Sequence, residues 1–260
     1  IFQFFYIIYI LKGTKMPRYE YYKKKVNKKK IIRDIILIYV IAVLFVLFFN
    51  SFIMQAYKVP SNSMFPTISE GDRVLANKFI YGPKLPFTDI RIFNATKNIK
   101  RGDVIIFLSK EYYNTNHLFR SLSSLIYTLT FSLVDISSFL KNYDANMYIK
   151  RVIGIPGDRI KFEINNNKVI ILINEINEKK VINLNYKVIE ETEENSPLIS
   201  SMIIQNEIIL KENQYYVIGD NRAVSADSRI WGPIDSNQII GKAVLKYWPI
   251  SSFGFINKYK

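Results

Sequence analysis

Residues 148–164 read YIKRVIGIPGDRIKFEI, which is two apolar runs separated by the turn-forming sequence Gly-Ile-Pro-Gly-Asp. Isoleucine, valine, phenylalanine and tyrosine favour strands, and glycine and proline end them. The pattern therefore predicts one strand over residues 148–153 and a second over residues 159–164. A third run, residues 168–173, follows three asparagines at 165–167, which predict a hairpin turn.

Runs of the same kind recur on both sides of this stretch and are broken by glycine, proline, asparagine and aspartate. They predict further strands over residues 73–76, 104–108, 215–218 and 239–247. We therefore expect a mainly β fold with one large β body. The segment at 174–195 is long and polar, and it predicts a less regular insertion within a smaller β subdomain at residues 165–212.

One apolar segment precedes the β body. Residues 35–54 form the uncharged stretch IILIYVIAVLFVLFFNSFIM, whose length at a rise of about 1.5 Å per residue matches the roughly 30 Å hydrocarbon core of a bilayer. It predicts one transmembrane helix. The basic run at residues 23–33 lies directly before it, so the positive-inside rule places residues 1–34 in the cytoplasm and residues 55–260 outside. A cleaved secretion signal is the alternative, but the stretch is too long and Met54-Gln55-Ala56 is a poor cleavage site.

The formal charge of +14 is concentrated at the N-terminus. Residues 1–33 carry ten lysines or arginines against the single acidic residue Glu20, so the rest of the chain is only mildly basic. This distribution favours a lipid bilayer as the partner of the basic arm, and we expect no nucleic acid partner. Residues 1–11 are apolar but too short to span a bilayer. We expect Met16 to be the true start, with a weak interfacial segment as the alternative reading of the upstream residues.

A helical pattern interrupts the β body at residues 118–140, inside a predicted helical insertion at 111–147. Its apolar residues fall at positions 118, 122, 125, 126, 129, 133, 136 and 140, with serine and threonine on the opposite face. An amphipathic helix that lies on the membrane or against the body is the favoured reading. A second membrane span is the alternative, but Arg120 and Asp135 lie within the segment.

The amino-acid inventory excludes several kinds of site. The chain contains no cysteine, which excludes disulfides, thiolate metal sites and a cysteine nucleophile. His117 is the only histidine and follows Asn116 in a polar patch, so we expect a solvated side chain there. A zinc site or a Ser-His-Asp triad would depend on that one residue. We therefore expect no metal and no cofactor.

The densest group of unusual residues, VPSNSMFPT at 59–67, follows the predicted membrane helix. Ser61 and Ser63 lie between two prolines, which suits a rigid turn that holds a hydroxyl group outward. Taken alone, the same pattern also fits an ordinary linker. Further dense segments follow it at residues 71–79, 101–104, 148–158 and 219–232.

Together these segments resemble, in order, the motifs of the type I signal peptidases, and the resemblance extends from residue 35 to about residue 248. The serine motif is matched at residues 60–67, and the lysine motif by Lys150-Arg151 followed by residues 154–158. The resemblance implies a signal-peptidase-like catalytic β body with a Ser63 nucleophile and a Lys150 general base. It further implies that the Ser61 hydroxyl and the Ser63 N–H stabilise the oxyanion, and that the Ser225 hydroxyl orients Lys150.

The chemistry of a Ser/Lys pair makes its own demand on Lys150. A serine hydroxyl needs a neighbouring base, and lysine is a base only when its amine is neutral. The ordinary lysine pKa of about 10.4 leaves roughly one amine in a thousand or fewer neutral at pH 7, so the pKa has to fall by about 3 units. Burial lowers a lysine pKa. The alternation within residues 148–155 could turn Lys150 toward a dry interior, whereas an exposed strand lysine is the ordinary alternative.

Four charged residues surround Ser225 in the sequence. We expect these residues to form ion pairs that hold the loop rather than to act as catalytic groups. They are Asp220, Arg222, Asp227 and Arg229. Two features depart from the family pattern: the pair Ala223-Val224 replaces residues that are usually polar, and the segment 118–140 is extra. Neither removes a catalytic group.

Topology and resemblance together define the expected substrate. Ser63 and Lys150 have to meet on one side of the membrane, so a helix at 118–140 does not cross it once. The resemblance implies signal-peptide-bearing preproteins, bound as an extended strand against residues 55–60 and 147–149, with small pockets for alanine-sized side chains. It also implies a single-pass protein of the bacterial cytoplasmic (inner) membrane, with the catalytic domain on the outer, periplasmic side.

Two other functions remain open at this point. A self-cleaving Ser/Lys protease would use the same pair of residues, but the predicted membrane helix and the lack of a DNA-binding domain argue against it. A non-enzymatic membrane-anchored binding protein would require the pair to be vestigial.

Overall fold

Contacts divide the chain into two units, Ile1–Ala42 and Val43–Lys260. The structure is a computed structural model, and it describes residues 28–85, 90–109, 122, 126, 147–166, 168–182, 186–190 and 207–256. The fold is mainly β, as the sequence predicts, and the β structure lies in the second unit.

The first described element is the helix α1, Lys28–Phe52. Its segment Lys29–Phe52 has a mean hydropathy of 2.7 and is long and apolar enough to cross a membrane. The apolar run was expected to remain helical to Met54, but the helix ends at Phe52. Met54 instead pairs with Asn77 and begins a strand, so only Ile53 separates the two elements.

The strands of the described residues are short, and each pairs antiparallel with its neighbours in the sheet. They are β1 Met54–Lys58, β2 Arg73–Asn77, β3 Val104–Leu108, β4 Met147–Gly154, β5 Arg159–Asn165, β6 Lys168–Ile173, β7 Ile176–Asn177, β8 Ile208–Ile209, β9 Gln214–Ile218, β10 Ile234–Asp235, β11 Ile239–Trp248 and β12 Gly254–Phe255. Two helices of one turn accompany them, α2 Glu178–Val181 and α3 Ser228–Trp231.

The larger sheet has the strand order β1-β2-β11-β3-β4-β9-β10, and β12 pairs with β11 outside this path. Every pairing in it is antiparallel. The strand β4, which carries Lys150, lies between β3 and β9, and its residues from Ile149 to Gly154 are all buried. The strand is therefore covered on both faces, and it buries the charged Lys150 and Arg151 together with its apolar residues.

The smaller sheet has the order β7-β6-β5-β8. Its β5–β6 hairpin closes where Asn165 pairs with Lys168, and Asn166 has a φ of 48°, so the predicted asparagine turn is confirmed. This sheet begins at Arg159, earlier than the expected boundary at residue 165, because Ile160–Asn165 of β5 pair with β6 and Arg159 pairs with Ile209 of β8. Ile160 and Phe162 point inward from β5 and pack in an apolar cluster with Ile173 and Tyr216.

The loop after β1 is packed onto the centre of the larger sheet. Met64, which is 1 % exposed, lies in one apolar cluster with Ile106 of β3 and Ile149 of β4. Burying a methionine of this size stabilises the loop by roughly 1.5–3 kcal/mol. The residue before Met64 is Ser63, and the residue after Ile149 is Lys150, so this packing brings the two segments together.

The strand pairing next to Lys150 is regular. Ile105 pairs with Lys150, and the register continues without a shift to Leu108 and Met147. The predicted helical insertion at 111–147 and its amphipathic helix at 118–140 lie outside the described residues, apart from Leu122 and Ile126, which are helical, and Met147 itself. The pairing of β3 with β4 is therefore regular up to Leu108 and Met147, the last pair before this segment.

Candidate active site

Ser63 lies in a single 3-10 turn, Asn62–Met64, that follows an extended Ser61. The turn is closed by the Phe65 N–H, which donates to the Asn62 carbonyl at 3.1 Å. Ser63 is 8 % exposed, so the hydroxyl is presented from a mostly buried position. The two prolines of the motif flank the turn, as a rigid loop requires.

Lys150 reaches Ser63 from β4. Its Nζ donates a hydrogen bond of 2.6 Å to Ser63 Oγ. The lysine is 3 % exposed, and no carboxylate lies within ion-pair distance of it among the described residues. The ring of Tyr148 lies to one side, with its centroid 5.9 Å from Nζ. The amine is therefore dry, and it is directed at the serine hydroxyl.

The surroundings of Lys150 lower its pKa from 10.5 to about 8. Desolvation by burial is the largest cause. Asp227 and Asp220 oppose it because their negative charges favour the ammonium form, while the positive charge of Arg229 lowers the pKa further. At pH 7 about a tenth of such amines are neutral, compared with roughly one in a thousand or fewer for an ordinary lysine.

Ser61 approaches Ser63 from the solvent side. Its Oγ donates to Ser63 Oγ at 3.3 Å, and the residue is exposed. The two hydroxyls and the amine of Lys150 thus meet at Ser63 Oγ. A substrate carbonyl placed against Ser63 would lie close to both hydroxyls.

Ser225 is buried near the backbone of Ser63, but it does not contact the amine. A Cβ built on Gly219 would overlap both Ser225 Oγ and the Ser63 carbonyl oxygen, so only glycine lets the two chains approach this closely. No hydrogen bond joins Ser225 to Lys150, and Ser225 Oγ has no well-formed hydrogen bond within the described part of the chain. Its hydroxyl lies near enough to Asp227 to help keep that carboxylate ionised.

Within the predicted charged cluster, one ion pair joins two of its members. Arg229 Nε lies 2.8 Å from Asp227 Oδ1, and both side chains are buried. Asp227 also accepts the Gly219 N–H at 3.0 Å. Burial alone would raise the pKa of Asp227, but the hydrogen bonds and charge of Arg229 outweigh it and hold the pKa below its ordinary value. The pair therefore fixes the loop that carries Ser225.

The other two members of the cluster, Asp220 and Arg222, form ion pairs with residues outside it. Asp220 forms a bidentate pair with Arg151, with Oδ–N distances of 2.7 and 2.6 Å. Arg222 pairs with Glu178 of α2, which follows β7 of the smaller sheet, at 2.6 Å. Arg151 directly follows Lys150 in the lysine motif, so its position in the sequence pointed to a role at the site. Nothing in the sequence around Glu178 indicates such a role.

Two strand edges border the serine and the lysine. In the described residues, β1 has β2 as its strand neighbour and forms one end of the larger sheet. On the other side of β4, strand pairing with β9 begins at Arg151. Within the described ranges, no group of three or more acidic or histidine side chains is placed to hold a metal ion, and His117 lies outside these ranges.

Comparison with known proteins identifies the family of this chain. A family model described as "Signal peptidase, peptidase S26" matches residues 32–248. Signal peptidase IB of Staphylococcus aureus (strain COL) is 30 % identical over 233 residues, covering 87 % of this chain and 94 % of the relative. Signal peptidase I of Buchnera aphidicola subsp. Baizongia pistaciae is 28 % identical over 249 residues, covering 75 % and 70 %. A crystal structure of a signal peptidase I from Enterococcus faecalis is 21 % identical, covers 55 % of this chain and 95 % of its own, and gives a TM-score of 0.28.

Proposed function

Because this chain belongs to the signal peptidase family, peptidase S26, we propose that it removes signal peptides with Ser63 as nucleophile and Lys150 as general base. Membership makes the chain a serine peptidase that acts on signal peptides. The assignment of the two residues rests on one observation above all, the 2.6 Å hydrogen bond between Lys150 Nζ and Ser63 Oγ.

The proposed reaction proceeds through an acyl-enzyme. The neutral Lys150 amine takes the hydroxyl proton while Ser63 Oγ bonds to the scissile carbonyl carbon, whose π electrons move onto the oxygen. The tetrahedral intermediate collapses, the C–N bond breaks, and the Lys150 ammonium gives its proton to the departing amine. Water then attacks the ester with Lys150 again as base, which releases the new carboxyl terminus and restores the serine.

The oxyanion of the intermediate needs fixed donors. We assign this role to the Ser63 N–H and the Ser61 hydroxyl, because Ser61 Oγ already lies 3.3 Å from Ser63 Oγ. Removal of one such donor typically costs about 10²- to 10³-fold in kcat. Ser61 is exposed before substrate binds, so a bound peptide would exclude water from this hydrogen bond.

Ser225 and the four charged residues support the pair in this proposal. Ser225 is buried beside the Ser63 backbone, and we assign it the role of orienting Lys150 that the family resemblance implies. The pairs of Asp227 with Arg229, of Asp220 with Arg151, and of Arg222 with Glu178 hold the loop.

The substrate in this proposal is a preprotein bound as an extended strand. The bound segment would run along β1, which forms one end of the larger sheet, and along Met147–Ile149, which precedes the β4–β9 pairing that begins at Arg151. The apolar helix α1 would anchor the enzyme in the bilayer, with the basic N-terminal arm in the cytoplasm and the β body on the outer face of the bacterial inner membrane. A signal peptide is itself a membrane-embedded apolar helix, so enzyme and substrate would share one surface.

The test uses the full chain in detergent and a preprotein whose signal ends in Ala-X-Ala. Ser63→Ala and Lys150→Ala are expected to lower cleavage by about 10³-fold or more, since general base and nucleophile act as one unit. Ser251→Ala and Lys161→Ala change exposed residues of the same types and serve as controls. Wild-type processing by either of the first two variants would overturn the assignment.

A further inference from the structure

Tyr186 lies between the smaller sheet and the strand that carries Lys150, and the mechanism above gives it no role. The centroid of its ring is 4.2 Å from the guanidinium carbon of Arg151. Its hydroxyl donates to Glu178 Oε1 at 2.9 Å, and the same carboxylate oxygen accepts from Arg222 at 2.6 Å. One side chain therefore touches two of the buried ion pairs around the site.

Arg151 connects Tyr186 to both catalytic segments. It follows Lys150 directly in β4, and it pairs with Asp220 through two hydrogen bonds while Nη1 donates to the Gly102 carbonyl at 2.8 Å. Asp220 Oδ2 in turn accepts the hydroxyl of Thr67 at 2.5 Å. Thr67 is the last residue of the serine motif, so the contacts run from the Tyr186 ring to the loop of Ser63.

The Arg151–Asp220 pair is completely dry, since both side chains are 0 % exposed. A buried pair of this kind is favourable only while its geometry is good and water is kept out, because each charge has lost its hydration. An aromatic face is a suitable cover for a guanidinium, as it is apolar and attracts the cation. The Tyr186 ring occupies that position.

The segment around Tyr186 is fixed relative to Asp220 by the backbone. The Ile189 N–H donates to the Asp220 carbonyl at 3.0 Å, and the Arg222 N–H donates to the Ile189 carbonyl at 3.0 Å. The Asn221 N–H between them donates to the Ser63 carbonyl at 3.0 Å. The segment that carries Tyr186 and Ile189 is thus linked to the serine loop through the backbone of residues 220–222.

We propose that Tyr186 is a positioning residue of the peptidase, which covers the Arg151–Asp220 pair and thereby holds the Ser63 loop and the Lys150 strand in their reactive arrangement. The inference rests on the proposed roles of Ser63 and Lys150. It gives the smaller β subdomain a task in the reaction: it delivers an aromatic side chain to the back of the site. Tyr186 touches neither reacting group, so its removal acts on the chemical step rather than on substrate binding.

Removal of the ring would also admit water beside the Lys150 strand. The charged groups that face Lys150 are Asp227, Asp220 and Arg229, and burial is the main cause of its low pKa. Hydration weakens that burial, so the pKa of Lys150 rises and the acidic limb of the rate profile moves to higher pH. A residue with a merely structural role would lower the amount of folded enzyme without moving this limb.

The experiment compares Tyr186→Leu with Tyr186→Phe in the full chain, with preprotein cleavage measured across pH on the folded fraction. Tyr186→Leu is expected to lower kcat by about 10- to 100-fold, with KM within about twofold, because small misplacements of catalytic groups have effects of this size. Tyr186→Phe keeps the ring and is expected to restore most of kcat and the wild-type pH limb. If Tyr186→Leu does not fold, Tyr186→Met replaces it.

Tyr215→Leu is the matched control, since Tyr215 is also buried and its hydroxyl bonds the Thr96 carbonyl away from Arg151. It is expected to lower stability and leave the pH limb in place. A double-mutant cycle with Thr67→Val adds a second readout: the two changes should be less than additive in kcat, because they break one chain of contacts.

A wild-type kcat and pH limb in Tyr186→Leu, or full additivity with Thr67→Val, would overturn the positioning role while leaving Ser63 and Lys150 intact. Failure of the proposed function is a different result, in which Ser63→Ala and Lys150→Ala retain activity.

Discussion

Lys150 and Ser63 are 87 positions apart in the chain, yet their side chains meet at 2.6 Å because both lie against β3. Ile105 of that strand pairs with Lys150, and Ile106 packs in one apolar cluster with Met64, the neighbour of Ser63. The contact between Lys150 and Ser63 thus depends on the pairing of β4 with β3 and on the packing of Met64 against β3. Changes to either should be visible in the rate before they are visible in substrate binding.

Activity is expected to follow the protonation of Lys150. The base works only as the neutral amine, and its pKa is about 8. Below that value kcat/KM should rise about tenfold per pH unit, reach half its maximum near the pKa and then level off. The measurement is kcat/KM for a peptide substrate from pH 5 to 10. A flat profile between pH 6 and 8 would contradict a lysine base.

Lys150→Met should lower the activity and raise the stability of the protein. We expect kcat to fall by about 10³-fold or more, since general base and nucleophile act as one unit. The free energy of unfolding should increase at neutral pH by on the order of 1–3 kcal/mol, because the variant no longer holds a charge in a dry site.

The sign follows from the two pKa values of Lys150, 10.5 when unfolded and about 8 when folded. Between them the unfolded state binds more protons, so the stability of the wild type rises with pH across this window. The advantage of the methionine variant should therefore be largest below pH 8 and disappear near pH 10.5. Urea unfolding at several pH values measures this, and an advantage that does not change with pH would contradict it.

Gly219→Ala adds a single methyl group, which should disturb the site. The new methyl group would overlap Ser225 Oγ and the Ser63 carbonyl oxygen, both of which are held by the surrounding backbone. We expect kcat to fall by about 10- to 100-fold with little change in KM, as for other small displacements of a nucleophile. Gly254→Ala is the control, since a Cβ there meets nothing within 4 Å, and its activity should equal that of the wild type.

Arg101→Met tests the structural pairs on the far side of β4. Arg101 binds Asp158 through two hydrogen bonds of 2.8 and 2.6 Å, and Asp158 is 3 % exposed. Loss of the partner leaves a buried carboxylate and is expected to cost roughly 1–3 kcal/mol of unfolding free energy. Gln238→Ala provides a comparison for lost neutral contacts, since it removes the hydrogen bond of 3.0 Å to the Leu108 carbonyl and the one of 2.9 Å from the Asp235 N–H.

The pH dependence of that stability has a definite direction. Burial alone would raise the pKa of Asp158, but hydrogen bonds from Arg101, the Ile155 N–H and Asn174 hold it below the ordinary value of 3.8. The wild type therefore keeps this stabilisation above 3.8 and loses it as the pH falls through the lower folded pKa. In Arg101→Met the folded pKa rises, so acid unfolding should begin at higher pH. Identical acid midpoints for the two proteins would refute the pairing.

Most strands of the body could be predicted from sequence because their apolar runs end at glycine, proline or asparagine. Residues 104–108 and 168–173 coincide with β3 and β6. The strand β1 was missed because a polar residue faces inward: Gln55 is 8 % exposed and accepts the Tyr57 hydroxyl at 2.9 Å. A buried glutamine that is satisfied by its neighbour removes the alternation on which the prediction depends.

The proposed catalytic pair lies in motifs that the sequence displays, whereas the ion pairs around it could not be predicted. Ser63 and Lys150 lie in segments with distinctive spacing, whereas Arg151 pairs with Asp220 across 69 positions and Arg222 with Glu178 across 44. A sequence displays charges without their partners, and the four charged residues around Ser225 suggested pairing among themselves. Three-dimensional proximity assigned only Asp227 and Arg229 to each other.

Leu108 and Met147 are partners in the β3–β4 register, so the chain leaves the sheet and returns to it at neighbouring points. The pairing of Leu108 with Met147 sets the distance between the two points where the chain leaves and rejoins the sheet. Any sequence that replaces the residues between them therefore has to bring its two ends to strand spacing, about 5 Å, for Lys150 to keep its register opposite Ile105.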